Sequence, residues 1–339
     1  MVTGAGSLIG RSLLYRLVSL GFSVRGFDVA EIDDPIDEVE YVFGDVNRRS
    51  ILSEISKEVD CVFHLIGATP KRAKKSGTSS SSHLATTITL ANIALSHKVV
   101  AFVYLSSAEV YGVPKGVFIG EDEKRRPVTV AGREHALVED YLINTISPRG
   151  LRVIILRSAP VTGWDVSQKT HPSLSLAFKN IMMQKQVYLV SNGRYLVQYI
   201  DTEDLASAMV RSIRIEGEGH LVLNVAAHDV VTQRELAAAL IERFGPRSKI
   251  IDLGGSALPF IRFLNRIGRA PIGTDYHQRF SPQLLMDAVR ANELLEITSK
   301  RIVESVSEMF SSWLAASADK GKASREDDFP VNRGEYFGD

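Results

Sequence analysis

The sequence predicts an α/β fold: a Rossmann-type, doubly wound parallel sheet with a smaller C-terminal α/β lobe. Short apolar runs alternate with helical patterns through the first half of the 339-residue chain, which is the order typical of a parallel sheet covered by helices on both faces. A glycine-rich turn separates the first apolar run from the first helical pattern. The length suffices for one large domain and a second, smaller one.

The individual elements follow from residue spacing. Leu13, Leu14, Leu17 and Leu20 recur at helical intervals and predict a helix over 12–20. Only Met1 and Val2 precede the glycine-rich turn, so we expect either a truncated N-terminus or a shortened first strand. The other predicted strands are 23–28, 39–43, 61–65, 99–105 and 152–156, and the other predicted helices are 86–96 and 132–144.

The composition narrows the classes of partner. Lys+Arg and Asp+Glu both number 40, so a formal net charge of zero gives no electrostatic reason to expect nucleic acid or a membrane surface. The single cysteine, Cys61, excludes an intramolecular disulfide and a cysteine-based zinc site. The sequence shows neither a signal-peptide pattern nor an apolar run of about 18 residues. We therefore expect a cytoplasmic protein with no metal, nucleic acid or membrane partner.

The glycine-rich turn and the acid that follows the second predicted strand predict a dinucleotide site. Small residues let the backbone approach a pyrophosphate, and the following helix directs its positive N-terminal end at the same anion. Asp28 stands 18 positions after Gly10 (28 − 10), near the offset at which a carboxylate binds the adenosine ribose hydroxyls. Because that carboxylate repels a 2′-phosphate, NAD is expected rather than NADP. The alternatives are a tight turn without ligand and a solvated acid. The turn residues of this candidate site are Gly4, Gly6, Ser7, Leu8, Ile9 and Gly10.

Five segments in the same order resemble the NAD-dependent epimerase/dehydratase family, the nucleotide-sugar branch of the extended short-chain dehydrogenases/reductases. The resemblance runs over about residues 2–315 and implies NAD as cofactor and a nucleotide sugar or similar small molecule as substrate. The five segments are 3–10, with Ser7 at the family's middle glycine, Gly-Asp-Val at 44–46, Val-Phe-His-Leu-Ile-Gly-Ala at 62–68, Arg-Ser-Ala-Pro-Val-Thr-Gly at 157–163 and 198–206. By this resemblance the further cofactor contacts are Asp45, Val46, Leu65, Ile66, Gly67, Ser106, His135 and Ser158.

The same resemblance identifies the catalytic positions and shows that two of them are altered. Residues 105–112 are similar to the family's Ser-Ser-x-x-Val-Tyr-Gly element, which makes Ser107 the hydroxyl that binds the reacting sugar oxygen. The family also uses a Tyr-x-x-x-Lys pair on one helical face: the tyrosine is the acid/base, and the lysine lowers its pKa and binds the nicotinamide ribose. Here Ala131 stands at the tyrosine position and His135 at the lysine position.

These replacements leave the proton chemistry open. Alanine cannot move a proton, whereas His135 keeps a nitrogen donor with an ordinary pKa of about 6.5. Glu109 occupies a position that sugar dehydratases and decarboxylases of the family fill with glutamate, near the sugar C5. Ser107, Glu109 and His135 are therefore the candidate catalytic residues. The alternatives are that Glu109 is a polar strand-end residue and that His135 only hydrogen-bonds a neighbouring loop.

Three functions are consistent with the sequence. The first is an enzyme of this family with an altered active site, the second an inactive NAD-binding regulatory or partner-binding protein, and the third a non-redox lyase or isomerase that uses the old pocket. By analogy with relatives we also expect a homodimer. The predicted organisation is an NAD-binding domain at 1–168 to which 196–228 return, a substrate-binding lobe at 169–195 and 229–317, and a disordered tail at 318–339.

Overall fold

A computed structural model describes residues 1–32, 34–66, 81–113, 117–163, 172–254 and 284–320. The chain divides into two compact units. The first unit comprises Met1–Val161, Ile200–His228 and Met286–Ser299, and the second comprises Thr162–Tyr199, Asp229–Leu285 and Lys300–Asp339.

The strands of the described residues are short outside the central sheet. They are β1 Val2–Thr3, β2 Val24–Asp28, β3 Val39–Phe43, β4 Cys61–His64, β5 Ala101–Ser107, β6 Phe118–Ile119, β7 Arg152–Ser158, β8 Val161–Thr162, β9 Val187–Leu189, β10 Leu196–Val197, β11 Ile200–Asp201, β12 His220–Val225, β13 Val231–Thr232, β14 Ile250–Asp252 and β15 Leu285–Met286.

The helices of the described residues alternate with these strands. They are α1 Leu8–Ser19, α2 Arg49–Ile55, α3 Ser81–Ser96, α4 Val130–Tyr141, α5 Pro172–Met182, α6 Thr202–Ser212, α7 Gln233–Phe244, α8 Val289–Leu295 and α9 Ile302–Lys320. Among the described residues, no helix is long and apolar enough to cross a membrane.

A seven-stranded parallel sheet forms the core of the first unit, in the order β12-β7-β5-β4-β1-β2-β3. Strand β1 lies between β2 and β4, so the strand order reverses at this point. In open parallel sheets, ligands bind beyond the carboxyl ends of the strands at such a reversal. The predicted Rossmann-type fold is confirmed, and β1 comprises the two residues Val2 and Thr3.

Helices cover both faces of this sheet. Leu52 of α2, Leu90 of α3 and Val138 of α4 are buried in one apolar cluster with Phe102 of β5. The strand residues whose side chains point to the other face of the sheet are buried as well. Helix α1 packs against α6. Strand β5 is buried almost along its whole length, which explains its continuous apolar run rather than an alternating one.

Two helices begin a few residues earlier in the chain than the apolar periodicity alone predicted. Side-chain caps determine where they begin. Helix α1 begins at Leu8 rather than residue 12 because the Ser7 hydroxyl accepts a hydrogen bond from the Gly10 N–H at 3.0 Å. Helix α4 begins at Val130 because the Thr129 hydroxyl accepts one from the Gly132 N–H at 2.9 Å. Beyond Tyr141 the chain continues as a π-helical turn, Leu142–Ile146.

The second unit is built around α5, α7 and α9. Stacked aromatic rings join α5 to α9, with 4.4 Å between the ring centroids of Phe178 and Phe310, and the Phe310 ring lies 5.7 Å from that of Trp313. The hydroxyls of Thr162 and Ser305 are hydrogen-bonded at 2.5 Å. Two short sheets, β9 with β14 and β10 with β13, complete this unit.

The boundaries of the two units differ from the predicted domains at 162–163 and 196–199, which lie in the second unit, and also at 286–299 and at the start of the tail. Residues 286–299 lie in the first unit, although they were assigned to the substrate lobe, because Arg211 of α6 donates to the carbonyls of Leu295 and Glu296 at 3.1 Å. Residues 318–320 belong to α9, although they were assigned to the tail. The remainder of that tail, 321–339, lies outside the described residues. That the first unit binds NAD and the second binds substrate stays a prediction.

Candidate functional site

The glycine-rich turn runs from the end of β1 to the start of α1. Gly4 has a φ of +79°, a conformation that side chains with a Cβ rarely adopt. A Cβ at Gly10 would overlap the Gly4 carbonyl oxygen and lie 2.9 Å from that of Ala5. The N-terminal end of α1 is therefore held against the turn, with the positive end of the helix dipole at the carboxyl edge of the sheet.

Asp28 closes the turn from the neighbouring strand. It is the last residue of β2 and only 8% exposed. Its Oδ2 accepts a hydrogen bond from the Gly6 N–H at 3.0 Å, and its Oδ1 accepts one from the Val29 N–H at 2.7 Å. Arg25 binds Glu40 at 2.9 Å instead of reaching Asp28, because the two residues are three positions apart on β2 and point to opposite faces of the sheet. Asp28 is thus a fixed carboxylate beside the turn.

The remaining predicted cofactor contacts surround the same edge. Leu65 and Ile66 follow β4, and an added Cβ at Gly4 would lie 3.4 Å from Leu65 and 3.5 Å from the Ile66 nitrogen. Asp45 is exposed after β3 and accepts from the Asn47 N–H at 2.9 Å, and Val46 packs on the core. Ser158 ends β7 and is buried, with its hydroxyl donating to the Ala159 carbonyl at 2.7 Å. Gly67 lies outside the described residues.

One face of α4 lies over β5. His135 and Glu139 are four residues apart on the helix, and Tyr104 and Ser106 are two apart on the strand, so each pair points the same way. The Tyr104 hydroxyl and His135 Nδ1 are 2.6 Å apart, and the Ser106 hydroxyl donates to Glu139 Oε1 at 2.6 Å. Ala131 lies one turn before His135 and is partly buried.

A buried row of polar side chains crosses β1, β4 and β5 on this face. Thr3, His64 and Tyr104 are paired in register across the three strands. His64 Nδ1 lies 2.7 Å from the Thr3 hydroxyl, and its Nε2 lies 2.9 Å from the Thr87 hydroxyl of α3. From α3, His83 Nε2 also reaches the Tyr104 hydroxyl at 3.1 Å. Three histidines and one tyrosine therefore form one cluster, which we call the histidine cluster: His64, His83, Tyr104 and His135.

The hydrogen bonds of His64 determine which of its two ring nitrogens carries a proton. The Thr87 hydroxyl donates to the His83 carbonyl at 2.9 Å, so it accepts from His64 Nε2–H. His64 Nδ1 is then the acceptor for the Thr3 hydroxyl. The ring is wholly buried, and this burial, together with the neighbouring His83 and His135, holds the pKa of His64 well below 6.5. His64 is thus a neutral imidazole.

The other members of the cluster are neutral as well. Burial lowers the pKa of His135 to about 4, and burial together with the nearby His135 lowers the pKa of His83 to about 3. Burial, with Glu139 and Glu134 near by, raises the pKa of Tyr104 well above 10. At neutral pH, His135, which the resemblance predicts at the family's lysine position, is therefore an uncharged ring.

A second buried network anchors the other end of α4. Glu139 is fully buried and binds Arg157 Nη2 at 2.7 Å and Arg125 Nη1 at 3.0 Å. Arg157 Nη1 also donates to the Tyr111 hydroxyl at 2.8 Å, which in turn donates to Asn224 Oδ1 at 2.6 Å. Tyr111 of the Val-Tyr-Gly element is therefore a structural anchor.

The candidate catalytic residues Ser107 and Glu109 lie where β5 ends. The Ser107 hydroxyl accepts from the Glu109 N–H at 3.2 Å and caps the short helical turn Ala108–Val110. Glu109 Oε2 accepts from the Thr129 hydroxyl at 2.5 Å, which ties this turn to the start of α4. Both residues are partly buried. The structure thus brings Ser107 and Glu109 to the end of α4 that carries Ala131.

Sequence reasoning assigned no role to four residues that shape this site: His64, His83, Tyr104 and Glu139. His64 lies in segment 62–68, which carries part of the family resemblance, but its hydrogen-bond partners are distant in the chain. A histidine on the buried phase of an apolar strand was the available signal for His64. Among the described residues, no group of three or more His, Cys, Asp or Glu side chains is placed to hold a metal ion.

The comparisons with known proteins agree on one family and its fold. The sequence profile of the NAD dependent epimerase/dehydratase family matches residues 1–226. The UDP-glucose 4-epimerase of Azospirillum brasilense is 26% identical over 268 residues, covering 72% of this chain and 77% of that protein. The UDP-glucose 4-epimerase of Thermotoga maritima with UDP-glucose aligns with a TM-score of 0.73 at 18% identity, over 93% of this chain and 98% of that one. MoeE5 in complex with UDP-glucuronic acid and NAD aligns with a TM-score of 0.71 at 21% identity, over 93% and 98%.

Proposed function

Because the chain belongs to the NAD dependent epimerase/dehydratase family, we propose that it is an NAD-dependent enzyme that acts on a nucleotide sugar or a similar polar substrate, with an altered active site. The family resemblance predicted from the sequence is confirmed. The alteration is the pair Ala131 and His135 on α4, where the family carries tyrosine and lysine. This pair is the single observation on which the proposed chemistry depends.

The turn after β1 fits NAD. The overlap that a Cβ at Gly10 would produce shows how closely the helix start approaches the turn, as pyrophosphate binding requires. Asp28 would accept hydrogen bonds from the adenosine ribose, and its carboxylate disfavours the 2′-phosphate of NADP. When bound, NAD accepts a hydride from the substrate and returns it.

A nucleotide sugar is the substrate class that the relatives support. The curated relative from Azospirillum brasilense is named as a UDP-glucose 4-epimerase, and two structures with the same fold hold UDP-glucose or UDP-glucuronic acid. In this chain, Ser107 would bind the reacting sugar oxygen. The identity of the sugar, a homodimeric state and a cytoplasmic location stay predictions.

The proton chemistry must differ from that of the family. Ala131 offers a methyl group where a phenol would act as acid/base. His135 is neutral at pH 7, because burial lowers its pKa to about 4, so it does not replace the charge of a lysine. An uncharged imidazole still exchanges protons with a hydroxyl. His135 is therefore the proposed acid/base, with Glu109 as the second candidate.

An inactive NAD-binding protein is the second candidate function. The hydrogen bond from the Thr129 hydroxyl to Glu109 at 2.5 Å favours it, because this bond holds one oxygen of the candidate acid/base in a structural contact with the start of α4. A non-redox lyase or isomerase stays a prediction without such an observation.

Cofactor content and turnover together test the proposal. We expect NAD to be released when the purified protein is denatured, and a panel of UDP-sugars to yield an altered sugar by chromatography. The double variant Ala131→Tyr and His135→Lys is expected to raise turnover if the remainder of the pocket is intact. Bound NAD without conversion of any sugar, in the wild type and in the double variant, would support the inactive NAD-binding protein instead.

A further inference from the structure

The loop that follows β2 lies against the glycine-rich turn. An added Cβ at Gly6 would lie 3.3 Å from Asp28 Oδ2 and 3.3 Å from Ile32 Cγ1. The carboxylate expected to bind the adenosine ribose and the first part of this loop therefore border the same point of the turn. Since Asp34 is two residues beyond Ile32, the Cα atoms of these two residues lie within about 8 Å of each other. The loop thus places Asp34 near the ribose end of the expected dinucleotide.

Arg11 of α1 is bound to this loop at Asp34. Its Nη1 donates to the Asp34 carbonyl at 2.6 Å, and its Nη2 donates to Asp34 Oδ2 at 3.0 Å. The Arg11 N–H donates to the Ser7 carbonyl at 2.9 Å, so this arginine stands in the first turn of α1. The Arg11 side chain is 15% exposed, whereas that of Asp34 is 83% exposed. A guanidinium therefore lies beside the loop after β2, with a carboxylate of that loop as a counter-charge.

This ion pair matters because of the group that distinguishes the two dinucleotides. NADP differs from NAD by a phosphate on the adenosine ribose, and an arginine near that ribose accommodates this phosphate in dinucleotide-binding folds. Arginine suits the role, since its planar guanidinium binds phosphate oxygens through two parallel hydrogen bonds. Asp28 repels such a phosphate, but an arginine without a counter-charge would attract it. Pairing with Asp34 weakens the attraction of Arg11 for a phosphate.

We propose that Asp34 disfavours NADP by neutralising Arg11, which would otherwise bind the 2′-phosphate of that dinucleotide. This inference rests on the proposed function, because it presupposes that NAD binds at the glycine-rich turn. The two acids then act differently: Asp28 repels the 2′-phosphate directly, whereas Asp34 withholds the cation that could bind it. An exposed ion pair contributes little to the free energy of unfolding, so Asp34 can be replaced without loss of the fold.

Calorimetric titration with NAD and with NADP tests the inference without any need for turnover. In Asp34→Asn, Arg11 keeps its hydrogen bond to the backbone carbonyl of residue 34 but loses the carboxylate. We therefore expect NADP affinity to rise about tenfold, while NAD affinity stays unchanged. The gain should be smaller in about 500 mM than in about 50 mM sodium chloride, because exposed charges are screened by salt.

Two further variants separate this role from a general change of surface charge. Adding Arg11→Met to Asp34→Asn should return NADP affinity to the wild-type value, and retained NAD affinity shows that the double variant is folded. Glu40→Gln is the matched control, because it removes a counter-charge from Arg25 at 2.9 Å and should leave NADP affinity unchanged.

The outcomes distinguish this inference from the proposed function. An Asp34→Asn protein that binds NAD without any gain in NADP affinity would overturn the inference alone. A gain that persists after Arg11→Met, or that Glu40→Gln reproduces, would overturn it as well. A wild type that binds neither dinucleotide would overturn the proposed NAD site, and this inference with it.

Discussion

Gly10 shows how one residue determines whether the turn after β1 can approach a phosphate. A methyl group there would overlap the Gly4 carbonyl oxygen and crowd that of Ala5 at 2.9 Å. We expect Gly10→Ala to destabilise the protein by about 1–3 kcal/mol, through overpacking, and to abolish NAD binding. Urea unfolding and calorimetric titration measure the two effects. Gly120→Ala is the control, because a Cβ at Gly120 meets no atom within 4 Å, and equal losses in both variants would contradict the argument.

Asp28 is expected to determine the choice between NAD and NADP. Its two oxygens are positioned by the N–H groups of Gly6 and Val29. In Asp28→Asn the negative charge is lost, so we expect NAD affinity to fall about tenfold, equivalent to about 1.4 kcal/mol, while NADP affinity rises. Titration with each dinucleotide measures the ratio. Asp37→Asn, an exposed acid elsewhere in the first unit, should leave this ratio unchanged, and an unaltered ratio in Asp28→Asn would exclude the ribose role.

At the residue scale, what the sequence allowed us to predict was local. Gly10 and Asp28 were identified because a turn, a helix start and a strand end are near each other in the chain. The partners of His135 were not identified, because His64, His83 and Tyr104 are separated by about 20–30 residues each and meet only once the strand order is known. The spacing of residues along the sequence does not show which distant residues meet in the fold.

Helix α4 is held on β5 by interactions that its own sequence does not reveal. The sequence predicted a helix over 132–144, but the buried face of α4 also carries Glu139, which binds Arg157 of β7 and Arg125. Strand β3 was predicted at its observed bounds because four of its five residues, all except Glu40, are β-branched or aromatic. The π-helical turn after Tyr141 was not predicted, since it depends on tertiary packing rather than on residue spacing.

Removing the charge of Glu139 should destabilise the protein far more than removing an exposed one. In Glu139→Gln, Arg157 is left buried without a counter-charge, so we expect a loss of about 3–5 kcal/mol in unfolding free energy. Urea denaturation measures it. The control is Glu54→Gln, which breaks the solvent-exposed pair with Lys57 at 2.6 Å and should lower the unfolding free energy far less. Similar losses in the two variants would show that the buried network contributes little.

The whole sheet brings the candidate site together through its topology. Strands β1, β4 and β5 are neighbours although β4 and β5 follow β1 by many residues, and their carboxyl ends place the glycine-rich turn, His64 and Ser107 at one edge. The doubly wound order was predictable from alternating strands and helices. The side chains that face one another across it were not, because a shift of one residue in register would have turned Tyr104 away from α4.

This arrangement makes the stability of the whole molecule dependent on pH. The folded pKa values of His64, His83 and His135 all lie below 6.5, to about 3 for His83 and about 4 for His135, because burial disfavours the charged ring. The unfolded chain therefore binds more protons than the folded one between about pH 4 and pH 6.5. The contribution of these three histidines to the unfolding free energy is complete above pH 6.5. It is lost as the pH falls towards the folded pKa values, at up to about 1.4 kcal/mol per pH unit for each histidine. Two further titratable groups face the cluster from α4. They are Glu139 and Glu134, which help to raise the pKa of Tyr104.

We expect the unfolding free energy of the wild type to decrease between pH 7 and pH 5, and His135→Asn to reduce the steepness of that decrease. Urea denaturation at several pH values gives the slope for each variant. His220→Asn removes an exposed histidine at the start of β12, and its slope should equal that of the wild type. If His135→Asn and His220→Asn have the same slope, the ring at position 135 titrates as it does in water. The neutral imidazole on which the proposed altered active site depends would then be excluded.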